Sequence, residues 1–222
     1  MSNGLRLVLL GKQGAGKGTQ AVLVAEHCGI PHLSTGEVFR AQAGLGTAFG
    51  LEAKRYMDGG DLVPDDIVIG VIEECLAPGG MLADGFVLDG FPRTLRQAEE
   101  LDRVLGRRSL DAAVLIDVPH AVVQNRLAGR RVCRGCQRVY HVDLPPERPW
   151  ICDTCGGDVV QRDDDTDEAI GRRLEIYERD TAPIIEMYRL SGRLLTVDGV
   201  GSSEEIFGRI VAAIEAATGV SC

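Results

Sequence analysis

Residues 5–19 read LRLVLLGKQGAGKGT, an apolar run of strand length followed by a loop with four glycines. Residues 11–17 match the pattern G-x-x-x-x-G-K, and residues 19–27 have the composition of a helix. Glycines let backbone N–H groups turn inward around phosphate oxygens, and the N-terminus of the next helix adds favourable partial charge. The stretch therefore predicts a phosphate-binding loop between a strand and a helix, with Lys17 as its cation.

The rest of the chain continues this alternation of apolar strands and amphipathic helices. Strand-like runs occur at 86–88, 112–116 and 194–197. Helical patterns occupy 65–76, 95–105, 120–127, 166–190 and 204–216. Near-continuous apolar strands between helices are typical of a parallel sheet covered on both faces. We expect an α/β fold with a doubly wound parallel sheet.

Two segments interrupt the alternation and are interpreted as insertions. Residues 34–63 are helical and polar with several glycines, and residues 127–164 carry four cysteines. The core would then consist of 1–33, 64–126 and 165–222.

Bulk properties exclude several classes of protein. The 222 residues carry a formal charge of −9, which disfavours general binding to nucleic acid or anionic membranes. No apolar run approaches the ~20 residues that a membrane span needs. No basic segment precedes an apolar leader, and seven cysteines are an odd number, which argues against a disulfide framework. We expect a cytoplasmic protein.

A second motif, FVLDGFPR at 86–93, ends a predicted strand with an acid. An aspartate at this place, Asp89, would approach Mg²⁺ directly or through water. Arg93 follows, where ligands bind in such sheets. In the glycine loop, Gly18 occupies the position of the usual Ser or Thr, so the common hydroxyl ligand for Mg²⁺ is missing.

Taken together, these motifs resemble the adenylate kinase family. In chain order they are GKQGAGKGT at 11–19, STGE at 34–37, Arg40, DGFPR at 89–93, Gln97, GRR at 129–131, QRDD at 161–164 and Arg173. The resemblance covers about 5–201. It implies a P-loop core, a helical monophosphate-binding insertion at 34–63 and a lid at 127–164. It also implies reversible phosphoryl transfer from MgATP to AMP, giving two ADP.

The resemblance assigns roles residue by residue. The ATP phosphates would contact Gly14, Ala15, Gly16, Lys17, Gly18 and Thr19. Arg126 would stack on the ATP adenine, and the carbonyl of Gly201 would accept from its amine. The AMP side would comprise Thr35, Arg40, Leu62, Val63, Gly90, Arg93, Gln97, Arg162 and Arg173. Within it, Gln97 would recognise the adenine edge.

The same resemblance places the catalytic charges. Lys17, Arg93, Arg130, Arg162 and Arg173 would converge on the phosphoryl groups, and Asp164 would organise the lid. Phosphoryl transfer needs positioning and charge neutralisation more than covalent chemistry. Planar guanidinium groups bind phosphate oxygens in pairs, which fits this set.

The cysteines form two CxxC pairs, Cys133 with Cys136 and Cys152 with Cys155, separated by fifteen residues. This spacing is typical of a closed Cys₄ zinc site, which is structural because no ligand position is left open. The resemblance agrees, since some bacterial adenylate kinases carry a zinc-bound lid. Reduced core cysteines and two disulfides are the alternatives, and His141 could replace one cysteine as ligand.

Alternative functions remain at this point. Another monophosphate kinase, using UMP or CMP or taking GTP, differs in few contacts. A zinc-ribbon nucleic-acid-binding protein is disfavoured by the negative charge and by few aromatics near the cysteines. Two residues depart from the family pattern, Gln13 for proline and Glu37 for aspartate. We expect a monomer that binds ATP, AMP and ADP, without nucleic-acid or membrane partners.

Overall fold

The computed structural model describes residues 4–162 and 165–220. The strands are β1 (Arg6–Leu10), β2 (His32–Ser34), β3 (Phe86–Asp89), β4 (Ala112–Asp117), β5 (Arg130–Cys133), β6 (Val139–His141), β7 (Val159–Val160) and β8 (Leu194–Asp198). The helices are α1 (Lys17–Cys28), α2 (Thr35–Gly44), α3 (Ala48–Asp58), α4 (Asp65–Leu76), α5 (Leu95–Leu105), α6 (His120–Ala128), α7 (Asp167–Ile176), α8 (Ala182–Leu190) and α9 (Ser203–Thr218).

The central sheet is parallel, with strand order β2-β3-β1-β4-β8. Its inner strands β1 and β3 are almost wholly buried, and two large apolar clusters cover its two faces. The prediction of a doubly wound parallel sheet is confirmed. In the register, Asp89 pairs with Leu9 on one side and with Ser34 on the other. The phosphate loop and Asp89 therefore lie at the same carboxyl edge of the sheet.

Helices α2 and α3 lie between β2 and α4 and pack against this core. Phe39 of α2 and Ala53 of α3 belong to the same buried cluster as Val63 and Leu88. The rings of Phe39 and Phe49 are 5.5 Å apart between centroids. Ordinary apolar packing thus anchors this pair of helices.

A second, antiparallel sheet has the order β6-β5-β7. Among the described residues, its buried apolar cluster comprises Cys133, Tyr140, Cys152 and Val159. Side chains that a larger domain would bury are exposed here, including Leu144 and Trp150. This small sheet has almost no hydrophobic core of its own.

The structure differs from the sequence-based expectations in several places. The sequence did not predict β2, which has only three residues, or the short strands β5, β6 and β7. The predicted helix 166–190 is interrupted by a π-helical turn, Tyr177–Thr181. Cys28 is disulfide-bonded, which the sequence did not indicate. Within the described ranges, no helix is both long and apolar enough to cross a membrane.

Candidate active site and metal centre

The glycine loop closes around the ammonium of Lys17. This ammonium donates hydrogen bonds to the carbonyl oxygens of Gly11 (2.7 Å) and Lys12 (2.9 Å). Gly14 has φ 84°, and a Cβ atom there would lie 2.9 Å from Cγ of Leu127. The position therefore requires glycine, both for its backbone conformation and for the close approach of α6.

The pKa of Lys17 depends on its burial and on the charged groups around it. Burial lowers the pKa of Lys17 to about 8, Asp89 opposes this shift, and Arg93 and Arg130 reinforce it. Arg93 and Arg130 thus lie close enough to disfavour the charge on Lys17. Asp89 is beside the first turn of α1, because a Cβ atom on Gly18 would be 3.4 Å from its Oδ2. A carboxylate is therefore available next to the loop.

Arg126 of α6 bridges the glycine loop and the loop after β8. Its guanidinium donates to the carbonyl oxygens of Ala15 (3.3 Å) and Gly199 (3.0 Å). Gly201 is two residues further along the second loop, and Thr19 is exposed on the first turn of α1. The residues predicted for the ATP side therefore lie around one end of the sheet.

Six of the nine residues predicted for the AMP side line one cleft; Arg40, Arg162 and Arg173 do not line it. Thr35, Leu62, Val63, Gly90, Arg93 and Gln97 all line it, together with Phe39 and Met57. The hydroxyl of Thr35 (3.0 Å) and Nε of Arg93 (2.8 Å) both donate to the carbonyl oxygen of Gly90. The guanidinium of Arg40 lies near the backbone of Gly36, with Nη1 3.2 Å from where a Cβ atom would be.

A buried carboxylate, Asp165, joins two of the predicted catalytic arginines. Its side chain is fully buried, and it accepts hydrogen bonds from both Nε (2.7 Å) and Nη2 of Arg130. Nη1 of Arg173 is 3.5 Å from the same carboxylate, and its Nη2 donates to the carbonyl of Met57 (2.8 Å). Arg162 is half-buried in the segment after β7. Asp165 thus positions Arg130 and Arg173 together.

Sequence reasoning did not predict a role for Asp165. Asp164, the predicted lid aspartate, lies outside the described residues, and its role stays a prediction. The available signal for Asp165 was the run of three aspartates at 163–165, but a run alone does not indicate that Asp165 binds Arg130.

The four cysteines of the two CxxC pairs meet at the end of the small sheet. Their Sγ atoms all lie within 4.8 Å of one another. The Sγ atoms of Cys133 and Cys155 are 3.4 Å apart, and those of Cys136 and Cys152 are 3.5 Å apart. A tetrahedral zinc with Zn–S bonds of ~2.3 Å requires S–S separations of ~3.8 Å. All four are free thiols, so the alternative of two disulfides is wrong, and the donor set fits zinc.

Hydrogen bonds reach the sulfurs of two of these cysteines. The backbone N–H groups of Gly135 (3.3 Å) and Cys136 (3.5 Å) point to Sγ of Cys133. The Tyr140 hydroxyl donates to Sγ of Cys152 (3.4 Å), and this bond is the main reason why the pKa of Cys152 is lowered to about 5. His141 instead contacts the backbone of α6, with Nε2 3.2 Å from the carbonyl of Asn125. It is not part of the cluster.

Comparison with known proteins identifies the family. A family model described as adenylate kinase matches residues 9–193. The chain belongs to the adenylate kinase family. Curated adenylate kinases similar to it come from Thermodesulfovibrio yellowstonii (48% identical over 214 residues, 95% of this chain and 99% of the relative) and Clostridium tetani (47% over 209 residues, 93% and 96%). One from Carboxydothermus hydrogenoformans is 47% identical over 214 residues, 95% and 100% of the two chains.

Membership of the adenylate kinase family makes the chain a phosphotransferase. The resemblance inferred from the motifs is thereby confirmed. The roles of individual residues stay predictions, although the structure brings most of them to one edge of the sheet. Of the two departures from the family pattern, Gln13 lies in the glycine loop and Glu37 in the first turn of α2.

Proposed function

We propose that this chain transfers the terminal phosphoryl group of MgATP to AMP, reversibly, and produces two ADP. The observation that carries this proposal is the electrostatic coupling of Lys17 to Arg93 and Arg130. Lys17 ends the glycine loop, Arg93 lines the cleft predicted to bind AMP, and Arg130 is the first residue of β5. Arg93 and Arg130, from two other segments, therefore lie within electrostatic range of Lys17, which supports a site for transfer of a phosphoryl group between two phosphates.

The donor side is the glycine loop with its neighbours. Gly14, Ala15, Gly16, Gly18 and Thr19 would offer backbone N–H groups to the ATP phosphates, and Lys17 would exchange its carbonyl partners for phosphate oxygens. Arg126 would stack on the adenine, and the Gly201 carbonyl would accept from the adenine amine. The bridge that Arg126 makes between the two loops supports this placement, because it holds the guanidinium above the loop.

The acceptor side is the cleft below α2. Arg40 and Arg93 would hold the AMP phosphate, Thr35 and Gly90 would border it, and the apolar wall at Leu62 and Val63 would pack on the base. Gln97 would hydrogen-bond the adenine edge. Arg162 and Arg173 would approach from the segment that follows β7.

The chemistry needs no general base on the protein. The attacking oxygen of AMP is already ionised, and the developing charge spreads over the transferred group. Lys17, Arg93, Arg130, Arg162 and Arg173 would neutralise that charge and hold donor and acceptor in line. Asp165 would keep two of these arginines in position before the substrates arrive.

Two metals fit the residues present. Mg²⁺, bound with ATP, would neutralise phosphate charge, and Asp89 would hold it, most simply through water, since Gly18 offers no hydroxyl. Zn²⁺ would be held by Cys133, Cys136, Cys152 and Cys155 and would serve structure only, because four thiolates leave no position open for substrate.

The arrangement of the chain follows from the same proposal. Residues 1–33, 64–126 and 165–222 would form the core, 34–63 the monophosphate-binding insertion and 127–164 the lid, with Asp164 helping the lid to close. We further propose a cytoplasmic monomer without nucleic-acid or membrane partners. The formal charge of −9 supports the lack of nucleic-acid binding.

Product stoichiometry tests the reaction directly. Incubation with ATP, Mg²⁺ and AMP, followed by ³¹P NMR, should show two ADP formed for each ATP and AMP consumed. Formation of ADP and inorganic phosphate without loss of AMP would overturn the proposal, because it would indicate an ATPase.

A further inference from the structure

The side-chain amide of Gln97 is held at both ends by groups of fixed polarity. Gln97 is only 2% exposed, yet it lines the acceptor cleft. Its Oε1 accepts from the backbone N–H of Arg93 (2.7 Å), and its Nε2 donates to Oδ1 of Asp65 (2.7 Å). Asp65 is the first residue of α4 and is 32 positions away in the chain.

These two partners determine which way the amide faces. A backbone N–H can only donate, and an ionised carboxylate can only accept. A flipped Gln97 would place its oxygen against the carboxylate and its NH₂ group against the N–H of Arg93. Both hydrogen bonds would then be replaced by contacts between like groups. The orientation is therefore fixed before any substrate binds.

Asp65 is itself held in place. Its Oδ2 accepts from the hydroxyl of Thr94 (2.9 Å), which also caps α5 by accepting from the backbone N–H of Gln97 (3.2 Å). The carboxylate therefore links the start of α4 to the start of α5.

A fixed amide can distinguish two classes of purine. Gln97 retains one N–H and one oxygen lone pair for a ligand, in a fixed order. Adenine presents an acceptor at N1 beside a donor at its 6-amino group. A 6-oxo purine presents the reverse, a donor at N1 beside an acceptor at O6. An amide that could flip would serve both bases, whereas a fixed amide serves one.

We propose that Asp65 determines specificity by fixing the Gln97 amide, so that the cleft accepts 6-amino purine monophosphates and rejects 6-oxo ones. Asp65 is a positioning residue, which acts through Gln97 and does not itself contact the base. The inference rests on the proposed role of Gln97 in recognising the acceptor base.

The test compares AMP with inosine monophosphate, which differs at N1 and at the 6-position of the base. In Asp65→Asn, the new amide can donate to Gln97 as well as accept from it. We expect the ratio of kcat/KM for AMP to kcat/KM for inosine monophosphate to fall at least tenfold. This is about the effect of losing one hydrogen bond to a charged group. The KM for ATP should not change. An unchanged ratio of AMP to inosine monophosphate would overturn the role of Asp65.

Asp66→Asn is the matched control. Asp66 is the next residue of α4, and its carboxylate forms an ion pair with Arg96 at the surface. This variant removes the same charge from the same helix turn without touching Gln97, so it should keep the ratio of the parent protein. An equal fall of this ratio in Asp65→Asn and Asp66→Asn would overturn the proposal, because it would indicate a general effect of charge on α4.

Gln97→Ala tests the role of Gln97 in recognising the base separately from the role of Asp65 in positioning Gln97. If its ratio of AMP to inosine monophosphate is that of the parent, Gln97 does not recognise the base, and the proposals for both residues fail. If Gln97→Ala loses discrimination and Asp65→Asn keeps it, only the proposal for Asp65 fails.

A measurement on the unmodified chain covers the case in which Asp65→Asn does not fold. In ¹⁵N-labelled protein without nucleotide, one Gln97 side-chain amide proton should exchange slowly with solvent, because it is bonded to Asp65. Fast exchange of both amide protons would overturn the fixed orientation.

Discussion

The small sheet β5–β7 and the acceptor cleft both hold polar groups in defined positions, but by different means. The cleft lies on a large apolar core, and its polar groups are interlocked by hydrogen bonds among Asp65, Thr94, Gln97 and the backbone of Arg93. The small sheet has a buried cluster of only four residues, two of them cysteines. The cleft should therefore survive on packing alone, whereas we expect the small sheet to depend on a metal bound by its cysteines.

The largest effect should follow loss of the metal. Cys152→Ser combined with Cys155→Ser should abolish zinc binding and unfold the small sheet, since structural zinc contributes on the order of 10 kcal/mol in small peptides. Hydrogen exchange should rise across β5–β7 while β1 and β4 stay protected. Cys75→Ser, which alters a free thiol outside the cluster, should change neither region. Full protection of β5–β7 in the double variant would mean that the small sheet does not depend on a metal.

The next largest effect should follow loss of the predicted catalytic arginine of α7. Arg173→Ala should lower turnover by roughly 10²–10⁵, as for other arginines that stabilise phosphoryl transfer. The matched control is Arg189→Ala, since Arg189 is exposed and pairs only with Glu186 among the described contacts. Steady-state kinetics at saturating ATP and AMP measure both variants. Near-normal turnover in Arg173→Ala would remove this residue from the catalytic set.

A smaller effect should follow a change beside the metal. Tyr140→Phe removes the hydroxyl that donates to Sγ of Cys152 and accepts from the backbone N–H of Asp153 (3.0 Å). Outer hydrogen bonds of this kind change metal affinity by ~10–100-fold. Competition with a zinc chelator should show a loss of this size, with turnover under saturating zinc unchanged. Equal zinc affinity in the two proteins would mean that Tyr140 serves packing only.

The smallest effect concerns pH. Because burial lowers the pKa of Lys17 to about 8, the free protein loses this ammonium charge as the pH rises through 8. The profile of kcat/KM for ATP reports the free protein, so it should fall about twofold at pH 8 and further above it. Bound phosphates favour the charged form, so kcat should persist to higher pH. A kcat/KM profile that stays flat to pH 9.5 would contradict the low pKa.

Local patterns made much of this molecule predictable from sequence. The glycine loop and the CxxC pairs are defined by close spacing, and each needs the same residue types wherever it occurs. Strand β2 was missed because three residues show no periodicity. The pairing of Asp65 with Gln97 joins residues that only the packing of α4 on α5 brings together. The contact between Asp165 and Arg130 likewise depends on where the chain enters α7, which the run of aspartates does not indicate.

The most direct test of the central claim is a coupled assay of ADP formation from ATP and Mg²⁺, with AMP, UMP, CMP and GMP as acceptors. The account predicts that kcat/KM for AMP exceeds that for each of the others by at least ~10², because the cleft offers hydrogen bonds that the other bases cannot satisfy. Equal or faster transfer to UMP, CMP or GMP would contradict the assignment of AMP as acceptor.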